Sequence, residues 1–357
     1  MAIAFLEVTA LLIRYPGYYH DFKCIASACP DSCCKEWTVD VDAASAAYYR
    51  KLEGSLGDRL RAVLQDTEDG TVMEIENGRC PMWRQDGLCR IQAELGHEAL
   101  CKTCRDFPRI CHDYGDFVEY GLELSGPEAA RLILTAPLGQ LTEKQEQGGE
   151  EPGYDAGCME ILLRARNEVF DYLENTDHAP QEILSVLLLY SHIVQEELDE
   201  YAFIGEGTPV SAVPHEPLAP DVLLAEAKTY TGDGDMAALL QLLTEIEVLS
   251  DTWLTRLQKP AAMPVWSPEI KKLTMYMITR YWLQAVSDFD IVSRMKLTVL
   301  AGLTVYALGE DPIQTAQMFS KEVENNADNV ENLLDAAYTT EAMTDLNLLK
   351  LLNGRVL

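Results

Sequence analysis

The sequence is short of basic residues. It carries 28 lysines and arginines against 58 aspartates and glutamates, a formal net charge of -30 at neutral pH. A protein that binds a phosphate backbone needs a basic face, so nucleic acid is not an expected partner. Long apolar runs are lacking as well. The run from Ala2 to Ile13 has neither a basic lead nor a small-residue cleavage site, and no other stretch is long and apolar enough to span a bilayer. A cytoplasmic chain with no membrane partner is expected. Also missing are a glycine-rich dinucleotide fingerprint after a strand, a P-loop and a nucleophile elbow, and those enzyme classes drop out with them. Histidine is scarce, and His178, His192 and His215 stand apart on helix or loop rather than in a ligand cluster.

What the chain does have is cysteine. Of its ten, nine fall between Cys24 and Cys111. Cys24, Cys29, Cys33 and Cys34 form one knot, and Cys80, Cys89, Cys101, Cys104 and Cys111 form a second. Two distant segments converging on one point is what a thiolate-held centre requires. In a chain of this size without an export signal, metal ligation or redox chemistry is expected over disulfides. Nearby histidines are limited to His20, His97 and His112, so an all-cysteine site is the economical reading, holding either zinc or an iron-sulfur cluster. Cys101 and Cys104 have the two-residue gap of a thioredoxin-like pair, but the βαβ context of that motif is missing. Neighbouring side chains diverge, so Cys33 and Cys34 are not expected to serve one metal together. Cys158, alone in a helical pattern, reads as a buried small hydrophobe.

The pattern predicts a mainly α fold. An irregular cysteine-rich, metal-binding region at 1–136 is followed by a linker at 137–153 and an acidic helical bundle at 154–357. Trp37 to Val41 alternates like a strand. Asp42 is placed to cap one helix running to Leu64, with Tyr48, Leu52, Leu56, Leu60 and Leu64 at helical spacing. Asp86 and Gly87 mark a turn that brings Cys80 and Cys89 together, and a short helix ended by Pro108 delivers Cys101 and Cys104. A strand-like alternation from Val118 then leads to a helix opening at Ser125, with Pro127 in its first turn. Residues 137–153 are polar and rich in glycine. Beyond them, 156–175, 180–201 and several later segments show apolar residues three and four apart.

Four segments, YYHDFKCIASACPDSCCKEWTVDVD, CPMWRQDGLCRIQAELG, TCRDFPRI and LELSGPEAARLIL, together resemble the flagellin lysine-N-methylase family. The resemblance rests on cysteine spacing and on Trp37, Asp42, Leu88, Ile91, Gly96, Pro108, Arg109, Glu128 and Arg131. FSKEVENNADNVENLL, near the C-terminus, is similar to a further family segment. The resemblance implies an enzyme that moves a methyl group from S-adenosylmethionine to lysine ε-amines of flagellin or a similar lysine-bearing protein, with a four-iron, four-sulfur cluster in the cysteine-rich region. Carried over by position, the family's cysteines are Cys24, Cys29, Cys33, Cys34, Cys80, Cys89 and Cys104, while Cys101 and Cys111 are additional. The three-then-two cysteine spacing of radical S-adenosylmethionine enzymes does not occur. The family has a cysteine where this chain has Gly126, and a histidine near Asn325.

Under this reading a lysine amine attacks a sulfonium methyl only when neutral, so a nearby carboxylate or desolvation is needed. Glu119, Glu123 and Glu128 are the candidate carboxylates, although Glu128 equally suits a helix start. Arg105, Arg109 and Arg131 are candidates to hold the donor's methionine carboxylate. The acidic surface would steer a lysine-bearing partner. The CC, LC and CRxFP elements alone also look like small zinc- or iron-chelating proteins, which leaves a non-catalytic zinc- or iron-sulfur-binding scaffold as the alternative.

Overall fold

A computed structural model describes residues 9–354 apart from 36, 69, 206–208, 262 and 310. In chain order the first half runs β1 (Thr9–Tyr15), β2 (Val39–Val41), α1 (Ala43–Lys51), α2 (Gly54–Val63), β3 (Leu64–Asp66), β4 (Thr71–Met73), α3 (Arg90–Leu95), α4 (Lys102–Asp106), β5 (Arg109–Asp113), β6 (Phe117–Leu122), α5 (Pro127–Thr135) and β7 (Thr142–Gly149). Helices follow: α6 (Ala156–Asn175), α7 (Pro180–Ile204), α8 (Pro220–Ala227), α9 (Met236–Glu245), α10 (Asp251–Leu257), α11 (Glu269–Tyr281), α12 (Val292–Leu308), α13 (Pro312–Val323), α14 (Ala327–Thr339) and α15 (Asp345–Asn353). The fold is mainly α, with two small sheets in its first half.

The larger sheet has the order β5-β6-β1-β7, with β1 parallel to β6 and antiparallel to β7. The part of the Ala2–Ile13 apolar run that can be described is therefore strand, and the residues before Thr9 lie outside the described ones. Within the polar stretch 137–153, Thr142–Gly149 is an exposed edge strand whose whole length pairs with β1. The smaller sheet, β2-β4-β3, sits beside the cysteines.

Asp42 caps α1 as expected, its carboxylate accepting from the Ser45 amide at 3.0 Å. The expected single helix from Asp42 to Leu64 is two. α1 stops at Lys51, Leu52 turns extended, and Gly54 takes a φ of +84°, a conformation open to glycine without strain. A Cβ at Gly57 would fall on the Leu52 carbonyl, and Arg61 reaches back to that same carbonyl with its Nη1 at 2.5 Å. The chain end that an unbroken helix would have left outside is thereby folded onto α1.

Two cores form. Val39, Val41, Tyr49, Leu60, Met73, Met82 and Ile91 close a small one together with Cys80 and Cys101. The larger core contains the helices after residue 155 and also Phe117, Leu122, Leu124 and the buried face of α5. At its centre α12 is buried on every face. Its two charges are matched: Arg294 pairs with Asp288 at 2.9 Å, and Lys296 with Asp345 at 3.3 Å and the Ala337 carbonyl at 3.0 Å. Gly302 lets α12 lie close to α7, since a Cβ there would meet Leu184 Cδ1 at 2.6 Å. Because α5 packs against α11 and α13, it joins the cysteine-rich segments to the bundle.

Candidate metal centre and its cavity

The two cysteine knots meet. The Cys80 amide donates to the Cys34 carbonyl at 2.8 Å, and an isolated bridge joins Lys35 to Arg79 beside it. The Trp83 ring lies under the Arg79 guanidinium, 4.4 Å from its centroid, and Lys35 reaches the same ring at 5.4 Å. The expected turn at Asp86 and Gly87 is present: the Leu88 amide donates to Asp86, Gly87 has a φ of +80°, and a bridge pairs Trp83 with Cys89. Asp42 does double duty, accepting also from the Lys102 amide at 2.8 Å, so the cap of α1 also fixes the start of α4 and the cysteines on it. These two amides hold the Asp42 carboxyl down at about 2.

Cys34 is the focus of the first group. Cys33 and Cys80 lie against it, and their proximity lowers the Cys34 thiol while raising the other two. Cys104 stands beside Cys101 in the same way, lowering Cys101 while Cys104 is raised. Cys33 feels Cys24 and Cys29, and Cys89 feels Cys34 and Cys101. All seven cysteines named from the resemblance are thus brought together, and Cys101 joins them. Cys33 and Cys34, expected to diverge, line the same space. Cys111 stands apart on exposed β5 near Tyr120 and Asp113, and Cys158 is buried in α6 as expected.

Among the described residues, no three His, Cys, Asp or Glu side chains stand around one point as a single ion would require. The donor set nonetheless suits a thiophilic centre. The convergent groups are sulfurs, and soft thiolates select zinc or iron-sulfur clusters over hard cations.

Beside the thiols lies a cavity of about 440 Å³. Its apolar walls include Phe22, Trp37, Leu88 and Phe107. Its charged wall reverses the balance of the chain: Lys23, Arg105, Arg109 and Lys321 line it, against Asp31 and Glu128. Arg109 stacks over Phe22 at 5.3 Å and Tyr19 at 6.0 Å, while Arg105 lies 3.8 Å from Asp106. Arg131 is half exposed and grips Glu128 through two bonds of 2.7 and 2.9 Å. That pairing lowers the Glu128 carboxyl. Glu119 is not among the lining residues; it is 3% exposed and held by both Nη atoms of Arg166 at 2.5 and 2.7 Å. Glu123 lies behind the cavity, where burial raises its carboxyl against the opposing pull of Arg280 at 3.3 Å.

Sequence reasoning gave no site role to Lys23, Asp31, Ser125, Gln317 or Lys321. The last two come from α13, nearly 300 residues after the first knot, where Gln317 and Lys321 both reach Asp31. The FSKEV segment contains Lys321 and was the available signal.

No protein-family model matches the chain, and no solved structure does. Two curated proteins named Lysine-N-methylase, from Salmonella choleraesuis and Salmonella typhimurium, are 27% and 28% identical to it over 249 and 246 residues, 65% of this chain. The matched region spans 60% of the length of each. The Flagellar biosynthetic protein FliU of Salmonella muenchen is 34% identical over 137 residues, covering 79% of that protein and 36% of this one. With the cysteine segments and these relatives in agreement, the chain belongs to the flagellin lysine-N-methylase family.

Proposed function

We propose that the protein is an S-adenosylmethionine-dependent protein-lysine N-methyltransferase whose thiols hold an iron-sulfur cluster, a four-iron, four-sulfur one, and whose substrate is flagellin or a similar lysine-bearing protein. The observation that carries the reading is that six cysteines, Cys24, Cys29, Cys33, Cys34, Cys89 and Cys104, line one cavity whose cationic wall stands out in an acidic chain. The names of the relatives supply the lysine and the methyl group.

Cys24, Cys29, Cys33, Cys34, Cys80, Cys89 and Cys104 are the residues from which the cluster's ligands come. When bound, the cluster would supply a Lewis-acidic iron able to take the donor's amino group. The apolar wall of Phe22, Trp37 and Phe107 suits the donor's adenine, and Arg105 and Arg109 face its polar parts. In the transfer, the lone pair of a neutral lysine amine attacks the sulfonium methyl carbon, the carbon-sulfur bond breaks toward sulfur, and the products are the methylated lysine and S-adenosylhomocysteine. The proton is lost from the lysine ammonium before attack. Of the three candidate carboxylates only Glu128 lines the cavity, so it is the one in position to receive that proton.

Anaerobic purification with iron, sulfide and zinc quantified, followed by transfer of labelled methyl from S-adenosylmethionine to flagellin, tests the reading. Brown protein with iron, sulfide and labelled lysine is expected. Stoichiometric zinc without sulfide removes the cluster, and a loaded protein with no transfer to any lysine substrate favours the scaffold alternative.

A further inference from the structure

We propose that the carboxylate of the donor's amino-acid end is received where α5 begins, by Ser125, the first free amides of that helix and Lys321. This rests on the cavity being the S-adenosylmethionine site, and it names which groups recognise one end of that ligand.

The start of α5 has unfilled bonding capacity. Its N-cap is Gly126, which has no side chain to cap with, and Pro127 has no N-H. Helix geometry therefore leaves the amides of Glu128 and Ala129 without intrahelical acceptors, at the positive end of a nine-residue helix. Independently, Ser125 lines the cavity, is 4% exposed, and has a buried Oγ with no hydrogen-bond partner. A hydroxyl so placed is costly unless something answers it.

The charge at this corner favours an anion. Gln317 Nε2 donates to the Ser125 carbonyl at 2.7 Å, which brings α13 against the start of α5. One turn on, Lys321 is 2.8 Å from Asp31 Oδ2, and Lys35 is 3.7 Å from the other oxygen of the same carboxylate. Two ammonium groups thus gather on one carboxylate at this corner. Glu128 is the opposing acid, and Arg131 compensates it. A carboxylate is the ligand group that uses a hydroxyl donor, helix amides and an ammonium together.

Binding titrations on anaerobically purified, cluster-loaded protein test this, with S-adenosylhomocysteine and its decarboxylated counterpart as probes. The wild type is expected to bind the first about tenfold to a hundredfold more tightly. Ser125→Ala and Lys321→Gln should each shrink that ratio while leaving the decarboxylated probe's affinity unchanged, which also reports that the variant is folded. Lys321→Arg should restore most of the ratio. Equal wild-type affinity for the two probes, or variants that weaken both equally, would overturn the assignment while leaving the cavity as the donor site. Failure of the wild type to bind either probe would overturn both.

Discussion

Replacing Glu119 separates a structural carboxylate from a catalytic one. Glu119 and Arg166 are 3% and 2% exposed and joined by two bonds, with Arg14 a further 3.6 Å away. At an effective interior dielectric near 20, two unit charges at such range interact by roughly 4 kcal/mol. Truncating one partner strands the other, and buried pairs broken this way cost about 3–5 kcal/mol. Arg166 has little to fall back on, since its Nε is already without a partner. Glu119→Ala should therefore lower the unfolding free energy by about 3–5 kcal/mol, read from urea unfolding of anaerobic protein by tryptophan fluorescence. Glu119→Leu combined with Arg166→Met removes both charges and should lie within about 1 kcal/mol of the wild type or above it. Methyl transfer per folded molecule should survive in the double variant. If Glu119→Gln instead keeps its stability and loses methyl transfer a hundredfold, Glu119 faces the reaction and the structural argument is wrong.

The thiols should divide into two classes: Cys80→Ser, Cys89→Ser and Cys104→Ser lose iron, whereas Cys111→Ser and Cys158→Ser keep it, measured as iron and sulfide per chain. Full iron content in Cys89→Ser and Cys104→Ser would remove the second knot as the main ligand source. Asp42→Ala should cost about 1 kcal/mol as the loss of an N-cap. Because the folded-state Asp42 carboxyl is depressed to about 2, its contribution is present at pH values above the ordinary carboxylate range and is lost as pH falls toward 2. The Ala variant should therefore converge with the wild type in acid unfolding, and a stability difference that stays constant down to pH 2 would count against the cap. Limited proteolysis tests the proposed boundary between the cysteine-rich region and the bundle. With β7 paired to β1, the first cuts are expected at 150–153, and earlier cleavage inside α6 or α7 would refute it.

The helices were legible because burial imposes a period, and the period is written in the chain. Asp155 and Pro180 open α6 and α7 where the apolar spacing begins, and α7 overruns the expected end by one turn, to Ile204. Strand β7 was not legible. Its sequence TEKQEQGG has no alternation to read, since neither face is buried, and only its pairing with β1 makes it a strand. The break at Leu52 was missed for a related reason. Leu52, Leu56, Leu60 and Leu64 keep helical spacing across it, and the signals against continuity, Gly54 and Gly57, act through a turn in three dimensions.

The site divides along the same line. Cysteines announce themselves by type, and six of the seven positions carried over from the resemblance line one cavity. What spacing could not supply is which polar groups share their cavity, because an ordinary serine, lysine or glutamate carries no mark of its surroundings. Glu119, Glu123 and Glu128 lie within ten residues of one another, yet the fold gives them three different environments. β6 turns Glu119 inward to Arg166, the connection after β6 sets Glu123 against Arg280 from α11, and only Glu128, at the start of α5, reaches the cavity. Glu119 and Glu123 take partners 47 and 157 residues further along the chain, while Glu128 pairs with Arg131 on its own helix and shares the cavity lining with Lys321, nearly two hundred residues on. The chemistry of this cavity is therefore set by the docking of the bundle onto the cysteine-rich segments through α5. A substitution that loosens α5 from α13 should disturb the Ser125 corner of the cavity before it disturbs the thiols, whose segments are tied together by the Cys80 to Cys34 backbone bond.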